Sequence, residues 1–319
     1  KPQKSVTLSH PLRVTLCEVI VYRDDVNALS AERVKVCGKG CHKRFTFTCF
    51  QLRNSALMNA YTAHELNLVV AHVQNSVCRL SYDGKRDVLK NVNMTFPEKG
   101  MTAIVGESGC GKSTVVNMLI GAFRPQKGEV TVGGKQLEKL SRENWYSHLS
   151  AVSYNTYIFN ESVRDNFKMA KENVSDEEIF AALEKVNLKE FIEENGGLDK
   201  VITEDANNIS GGQKQRLALA IALVSGKDIY VFDEATSNID IESEAVIMKN
   251  IKAISESKSV IVISHRLANV VPADNIYYME EGEIKESGSH EKLMAARQGY
   301  ARLYTAQKTL EQAYAEVVE

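Results

Sequence analysis

Short apolar runs alternate with amphipathic stretches over most of the chain from residue 77 onward. Residues 101–105, 229–232 and 260–263 are continuous apolar runs, which are typical of strands covered on both faces. Residues 113–123 instead carry apolar side chains at helical spacing. Strands that alternate with helices in this way predict an α/β fold around a buried, largely parallel sheet.

The same pattern predicts two further elements and an insertion. Residues 129–132 predict a strand that leads into a glycine turn. Residues 175–186 predict a helix, because Ser175 and Glu178 have the spacing of a capping box. The region from about 155 to 215 is mostly helical in character, so we expect an inserted helical subdomain there.

The chain divides into two parts of different character. Residues 77–319 carry the α/β pattern, whereas residues 1–76 form a poorly assigned, basic N-terminal segment. Residues 1–68 contain ten Lys or Arg against five Asp or Glu, although the whole chain has a formal charge of −2. This excess of positive charge has two interpretations, a solvated surface or proximity to anionic lipid headgroups. No internal repeat is evident, which argues against two copies of the α/β domain in tandem.

Composition excludes several classes of protein. No apolar run reaches the roughly 18 residues of a membrane-spanning helix, and no secretory signal begins the sequence, so we expect a cytosolic location. No basic face with interleaved aromatic residues is present, so we expect no nucleic-acid partner. Cys37, Cys41, His42 and Cys49 raise the alternative of zinc, but their spacing favours reduced, unliganded thiols.

One glycine-rich run follows the apolar run 101–105 and precedes the helical pattern at 113–123. Its glycines let backbone N–H groups wrap phosphates, Lys112 offsets the charge of the β- and γ-phosphates, and Ser113 is a candidate Mg²⁺ ligand. We expect Cys110 to contribute only its backbone; the alternative is a thiol whose pKa is lowered at a helix N-terminus and which is readily alkylated. The run that forms this predicted ATP-binding loop is Gly106, Glu107, Ser108, Gly109, Cys110, Gly111, Lys112, Ser113 and Thr114.

A second glycine-rich run also leads into a helical stretch and offers another helix N-terminus to an anion. One nucleotide needs only one such cradle. The chain therefore either binds two nucleotides or shares each nucleotide with a second copy of itself, and the absence of a repeat favours sharing. The second run is Ile209, Ser210, Gly211, Gly212 and Gln213.

Two adjacent carboxylates end the apolar run 229–232. Asp233 is a candidate Mg²⁺ ligand, and Glu234 is placed to orient and polarise an attacking water. His265 follows the run 260–263 in the same way and is a candidate contact for a γ-phosphate. Parallel strands end at one edge of a sheet, so we expect these side chains to meet the phosphate loop there.

Taken together, residues 77–307 resemble the nucleotide-binding domain of an ABC transporter of the exporter type. Tyr82 resembles the aromatic residue that stacks on adenine, the loop at 106–114 resembles the Walker A motif, and 209–213 resembles the signature motif. Residues 233 and 234 match the Walker B aspartate and catalytic glutamate, and His265 matches the switch histidine. Residues 237–240, which end in Asp240, match the D-loop. Softer matches at 159–166 and 299–304 favour the exporter type.

The resemblance implies a P-loop NTPase core with a mixed, mainly parallel sheet, an antiparallel β subdomain and an inserted helical subdomain. It also implies an ATPase that uses ATP and Mg²⁺. In relatives two such domains face each other head to tail, so Ser210, Gly211, Gly212 and Gln213 of one would touch the ATP held by Lys112 of the other. We expect a homo- or heterodimer that powers export through a transmembrane domain absent from this chain, at the cytoplasmic face of the cell membrane.

Two alternatives to this function stay open. One is a regulatory dimer that binds ATP with little hydrolysis, and the other is a non-transport ABC ATPase. Residues 30–34 of the N-terminal segment faintly resemble the cytosolic end of an exporter's last membrane helix, which would make this chain the C-terminal piece of a longer half-transporter.

One position departs from the family pattern. The family places a glutamine after the strand at 151–153, and this chain has Tyr154 there. A phenol cannot replace a carboxamide that both donates and accepts hydrogen bonds. Either Asn155 takes over after a one-residue shift, or coupling between ATP and transport is weakened. We favour weakened coupling, because a one-residue slip would reverse which face each strand residue presents.

Overall fold

The computed structural model describes residues 19–20, 35–36, 68–70, 78–81, 87–203 and 208–318, with side chains described for 87–203 and 208–313. The chain divides into two compact units, residues 1–59 and 60–319. In the first unit, β1 (Val19–Ile20) pairs antiparallel with β2 (Lys35–Val36).

The second unit carries an α/β domain with twelve strands and nine α-helices in its described residues. The strands are β3 (Leu68–Val70), β4 (Cys78–Ser81), β5 (Asp87–Val92), β6 (Met94–Phe96), β7 (Gly100–Gly106), β8 (Val130–Val132), β9 (Lys135–Gln136), β10 (Leu149–Ser153), β11 (Ile229–Asp233), β12 (Ser259–Ile263), β13 (Asn275–Glu280) and β14 (Glu283–Gly288). The helices are α1 (Lys112–Leu119), α2 (Arg142–His148), α3 (Val163–Ala170), α4 (Asp176–Lys185), α5 (Lys189–Glu194), α6 (Gly211–Val224), α7 (Ile241–Ser255), α8 (His290–Ala296) and α9 (Gly299–Val318).

The main sheet has six strands in the order β10-β11-β12-β7-β13-β14. All neighbours are parallel except β13 and β14, which pair antiparallel. A four-stranded antiparallel sheet, β6-β3-β8-β9, and the antiparallel pair β4-β5 complete the β structure. Helices α3, α4 and α5 lie between β10 and α6, where the sequence predicts a helical insertion. The predicted fold class is confirmed.

Both faces of the main sheet are covered, as the continuous apolar strands predict. Along β11, Tyr230 and Phe232 pack into one apolar cluster, whereas Ile229 and Val231 pack into another. The residues of β12 alternate in the same way between the two clusters. Because side chains alternate across a strand, a strand buried on both faces must be apolar at every position.

Local signals place several helix boundaries. The Ser175 hydroxyl accepts from the Glu178 N–H, and the Glu178 carboxylate accepts from the Ser175 N–H, so the predicted capping box at the start of α4 is confirmed.

No helix in the described part of the chain is long and apolar enough to cross a membrane. The division at residue 76 stays a prediction, and β3, which precedes it, pairs with β6 and β8.

Candidate functional site

Polar residues lie at the carboxyl ends of three neighbouring parallel strands, all at one edge of the main sheet. Strands β11, β12 and β7 are adjacent in the sheet. Asp233 ends β11 and Glu234 follows it, His265 lies just after β12, and the loop at 106–114 begins at the end of β7. Ligands of open α/β sheets bind at the carboxyl ends of the strands. The order of the strands in the sheet therefore places these groups at the same edge, as the sequence predicts.

The loop at 106–114 wraps tightly around the amino end of α1. The Lys112 ammonium is buried and donates to the carbonyl oxygens of Gly106 and Glu107, each at 2.9 Å. Gly106 has φ 150, and a Cβ there would lie 2.1 Å from the Met279 carbonyl oxygen, so only glycine fits. The exposed tip of the loop consists of Glu107, Ser108 and Gly109. The geometry suits an anion held by backbone N–H groups and a lysine.

Cys110 lies inside this loop and is buried. The side chain is only 5% exposed, and its sulfur lies 3.9 Å from the Lys112 Nζ. Burial raises the pKa of the Cys110 thiol, and the opposing attraction of Lys112 does not reverse the shift. The alternative of a lowered thiol pKa is therefore wrong, because the effect of burial outweighs the attraction of Lys112.

Asp233 ends β11 beside the hydroxyl of Ser113. Burial raises the pKa of the Asp233 carboxyl, the charge of Glu234 raises it further, and the hydrogen bond from Ser113 opposes both. The Asp233 Oδ1 atom is buried without a hydrogen-bond partner among the described residues. An unsatisfied carboxylate oxygen next to a hydroxyl is a suitable ligand pair for Mg²⁺, which prefers hard oxygen donors.

Glu234 leaves the strand direction and turns toward His265. Its backbone is left-handed, with φ 54, while its N–H still donates to the Ile263 carbonyl oxygen at 2.9 Å. The Glu234 Oε1 and His265 Nε2 atoms lie 2.6 Å apart. An ionised carboxylate only accepts, so the imidazole presents its N–H to Glu234. The candidate base and the candidate phosphate contact thus form one pair at the sheet edge.

The second glycine-rich run begins α6 and is tied to the D-loop of the same chain. Ser210 caps α6 by accepting from the Gln213 N–H at 3.2 Å, and Ser210 and Gly211 are exposed. Gln215 is buried and accepts from the Asn238 N–H at 2.9 Å. Asp240 caps α7, because its carboxylate accepts a hydrogen bond from the N–H of residue 243. This hydrogen bond lowers the pKa of the Asp240 carboxyl.

Tyr154 lies beside the Walker B strand through its main chain. Its N–H donates to the Asp233 carbonyl oxygen at 3.1 Å, which continues the β10-β11 register by one residue, and its side chain is 50% exposed. Tyr154 and Asn155 both line a cleft of about 180 Å³ together with Lys214 and Gln215 of α6. Tyr82 and the cysteine and histidine residues considered for zinc lie outside the described residues.

Sequence reasoning missed the contacts that hold the loop carrying His265. Glu244 of α7 is buried and accepts from Arg266 and Asn269. Gln307 of α9 bonds to the main chain at both His265 and Leu267. One available signal was the helical spacing that places Gln307 on the same face as the buried Tyr300 seven residues earlier. The contact partners themselves are distant in sequence and carry no local signal.

Comparisons with known proteins find ABC transporter relatives of this chain. Residues 89–237 match the family model of the ABC transporter domain. An uncharacterized ABC transporter ATP-binding protein of Haemophilus influenzae is 43% identical over 232 residues, which make up 73% of this chain and 41% of that protein. An ATP-dependent lipid A-core flippase of Haemophilus ducreyi is 40% identical over 230 residues, which make up 71% of this chain and 40% of the flippase.

A solved structure of a bacterial Atm1-family ABC exporter with ATP bound is also similar, with a TM-score of 0.73 and 27% identity over 82% of this chain and 45% of that chain. The chain spans about two fifths of the length of the curated relatives it matches. The glycine-rich loop, the paired carboxylates and the matches to relatives lead to the same conclusion. The chain contains an ABC transporter ATP-binding domain and is similar to those of exporters.

Proposed function

We propose that this chain binds and hydrolyses ATP and thereby powers export through a transmembrane domain. The observation that carries the proposal is the Glu234 to His265 contact of 2.6 Å at the edge of the sheet that also holds the phosphate loop. Glu234 accepts a proton from water as the water oxygen attacks the γ-phosphorus. The bond from that phosphorus to the β,γ-bridging oxygen breaks, which releases ADP and inorganic phosphate.

Other residues of the chain stabilise the charges of this step. The Lys112 ammonium offsets negative charge on the β- and γ-phosphates, and the backbone N–H groups of its loop orient them. His265 presents its N–H toward Glu234 and holds the carboxylate in position. The Lys112 ammonium exchanges its hydrogen bonds to the Gly106 and Glu107 carbonyl oxygens for phosphate oxygens when ATP binds.

Asp233 and Ser113 would hold Mg²⁺. The unsatisfied Asp233 Oδ1 and the neighbouring hydroxyl supply hard oxygen ligands, and the raised carboxyl pKa fits a site that awaits a cation. A bound Mg²⁺ would neutralise charge on the phosphates.

The exposed signature run supports a shared site. Ser210 and Gly211 are exposed at the amino end of the fourteen-residue helix α6, where backbone N–H groups are available to a phosphate of a partner chain. We propose that two such domains face each other head to tail, so that residues 210–213 of one complete the ATP site of the other. The partner is an identical or a related domain.

The transported substrate and the cellular location depend on parts outside this domain. The flippase and the exporter similar to this chain are more than twice as long as the matched region. We propose that the domain works at the cytoplasmic face of the cell membrane, against a transmembrane domain. The half-exposed Tyr154, in place of the usual glutamine, weakens the coupling between ATP hydrolysis and transport in this proposal.

The dependence of ATPase rate on protein concentration tests the proposal. A site completed by a partner chain predicts that the rate rises more steeply than linearly with concentration until dimers predominate. A rate proportional to concentration would contradict shared sites. ATP-induced dimerisation with negligible phosphate release would instead favour a regulatory ATP-binding dimer.

A further inference from the structure

One side chain of the C-terminal helix, Gln307, forms two hydrogen bonds with the loop that carries His265. The Gln307 Nε2 donates to the His265 carbonyl oxygen at 2.8 Å, and the Gln307 Oε1 accepts from the Leu267 N–H at 2.9 Å. One carboxamide thus satisfies main-chain groups on both sides of Arg266. Gln307 and His265 are 42 residues apart in sequence.

The position of Gln307 follows from the anchoring of α9. Tyr300 is fully buried, its hydroxyl lies 2.7 Å from the His290 Nδ1, and its N–H donates to Glu286 at 2.9 Å. Leu303 and Tyr304 pack against the core on the same side of the helix. Residues at i, i+3, i+4 and i+7 share one helix face, so Gln307 is the polar end of this apolar stripe.

The opposite side of the loop is held by α7. Glu244 is 4% exposed and accepts hydrogen bonds from Arg266 and from Asn269, the latter at 2.8 Å. The Ser264 hydroxyl accepts from the Arg266 N–H at 3.0 Å. The loop is therefore fixed from α7 through side chains, whereas Gln307 fixes its main chain from α9.

We propose that Gln307 is a positioning residue for ATP hydrolysis, which holds the main chain of His265 so that the imidazole meets Glu234. This role rests on the hydrolytic function proposed above. A shift of the main chain at His265 would carry the imidazole away from the 2.6 Å contact with Glu234. The C-terminal helix thereby becomes part of the support of the catalytic pair, although none of its described side chains is assigned to the nucleotide.

Gln307→Met tests the role, because methionine keeps the length and the helix propensity of glutamine but loses both hydrogen bonds. Loss of two hydrogen bonds to the loop predicts a fall in kcat of about tenfold, with little change in the KM for ATP. Gln312→Met, an exposed glutamine on the same helix, is the matched control and should leave both constants unchanged. Gln307→Glu is a second variant, which keeps the acceptor for Leu267 but loses the donor to His265.

Two further measurements separate positioning from a general loss of stability. In a His265→Ala background, Gln307→Met should cost no additional rate, since its effect passes through His265. An equal loss in both backgrounds, or an unchanged kcat in the wild-type background, would overturn the proposal.

Amide hydrogen exchange at Leu267 tests the contact without any hydrolysis. Faster exchange in Gln307→Met than in Gln312→Met supports the hydrogen bond from the Leu267 N–H to Gln307, and equal exchange in the two variants overturns the proposal. A wild-type chain that releases no phosphate would refute the proposed function, and the exchange result would still decide the contact.

Discussion

Adjacent carboxylates in this protein face different chemistry because the backbone turns between them. Asp233 pairs with Ile263 in the sheet, and the hydroxyl of Ser113 bonds to its carboxyl. Glu234 adopts φ 54, a left-handed conformation that costs a glutamate about 1 kcal/mol. The turn directs its side chain to His265 instead of along the strand. Strain of this kind persists where the surrounding structure imposes it, here at the proposed catalytic group.

Glu234→Gln should abolish turnover without abolishing ATP binding. The carboxamide keeps the size of the side chain but cannot accept the proton of the attacking water, so we expect phosphate release to fall about 100- to 10,000-fold. ATP should then accumulate in a stable dimer, detectable by size-exclusion chromatography. Glu281→Gln is the matched control, because Glu281 is an exposed glutamate with φ 48. Near wild-type turnover in Glu234→Gln would contradict the assignment.

Cys110 should be labelled slowly at neutral pH. Burial raises its thiol pKa, so the reactive thiolate is scarce until the pH rises above the usual thiol range. We expect the iodoacetamide reaction at the peptide containing Cys110, followed by mass spectrometry, to accelerate with increasing pH and on unfolding in urea. Labelling at pH 7 as fast in the folded as in the unfolded chain would contradict this.

Tyr154→Gln should strengthen coupling in the assembled transporter. The substitution restores a side chain that both donates and accepts next to Asp233, whose carbonyl oxygen already accepts from the residue 154 N–H. We expect a higher substrate-stimulated ATPase rate than in the wild type. An unchanged or lower rate would mean that Tyr154 does not weaken coupling.

Helix α6 and the D-loop are hydrogen-bonded together. Gln215 accepts from the Asn238 N–H at 2.9 Å and donates to the Ser237 hydroxyl at 3.3 Å. The Ser237 hydroxyl in turn donates to the Glu234 carbonyl oxygen at 3.0 Å. A continuous chain of contacts therefore links the start of the signature helix to the main chain of Glu234.

Two adjacent glycines of α6 should respond oppositely to alanine. A Cβ at Gly212 would lie 2.7 Å from the Asn238 carbonyl oxygen, whereas a Cβ at Gly211 would have no neighbour within 4 Å. Gly211→Ala should raise the free energy of unfolding by about 0.5–1 kcal/mol, since alanine favours the helix. Gly212→Ala should lower it, because backbone must shift. Thermal unfolding of both variants checks this, and equal shifts would contradict the close approach.

The molecule as a whole presents two anion cradles that serve different nucleotides in our proposal. The phosphate loop lies at the edge of the main sheet, while the signature run is exposed at the start of α6. Each chain then supplies half of two sites. This arrangement makes activity a property of the dimer and not of the chain.

Mixing two inactive variants should restore activity. In a head-to-tail dimer of Lys112→Ala with Ser210→Arg, both defects fall in one site and the other site is intact. Random pairing therefore predicts about a quarter of the wild-type sites, and hence measurable phosphate release from the mixture. Each variant alone is the control. A mixture no more active than the separate variants would contradict the shared-site arrangement.

Much of the local structure was predictable, and much of the support of the site was not. Continuous apolar runs predicted β11 and β12, and Ser175 with Glu178 predicted the start of α4. The alternative of a lowered pKa for the Cys110 thiol failed because the position of a residue in a motif carries no information about its burial. The two hydrogen bonds from Gln307 to the loop after β12 were missed, because the local sequence around a polar helix residue does not identify its distant partner.

The sequence by itself determined the α/β class, the glycine-rich loop and the polar residues that end the strands, because these depend on short-range periodicity and on backbone freedom at glycine. Only the tertiary structure decided that Glu234 meets His265, that Gln215 bonds to the D-loop and that Gln307 holds the loop after β12. Such contacts join residues apart in the chain: the pairing of β11 with β12 brings Glu234 to His265, and the packing of α6 and α9 brings Gln215 and Gln307 to their loops.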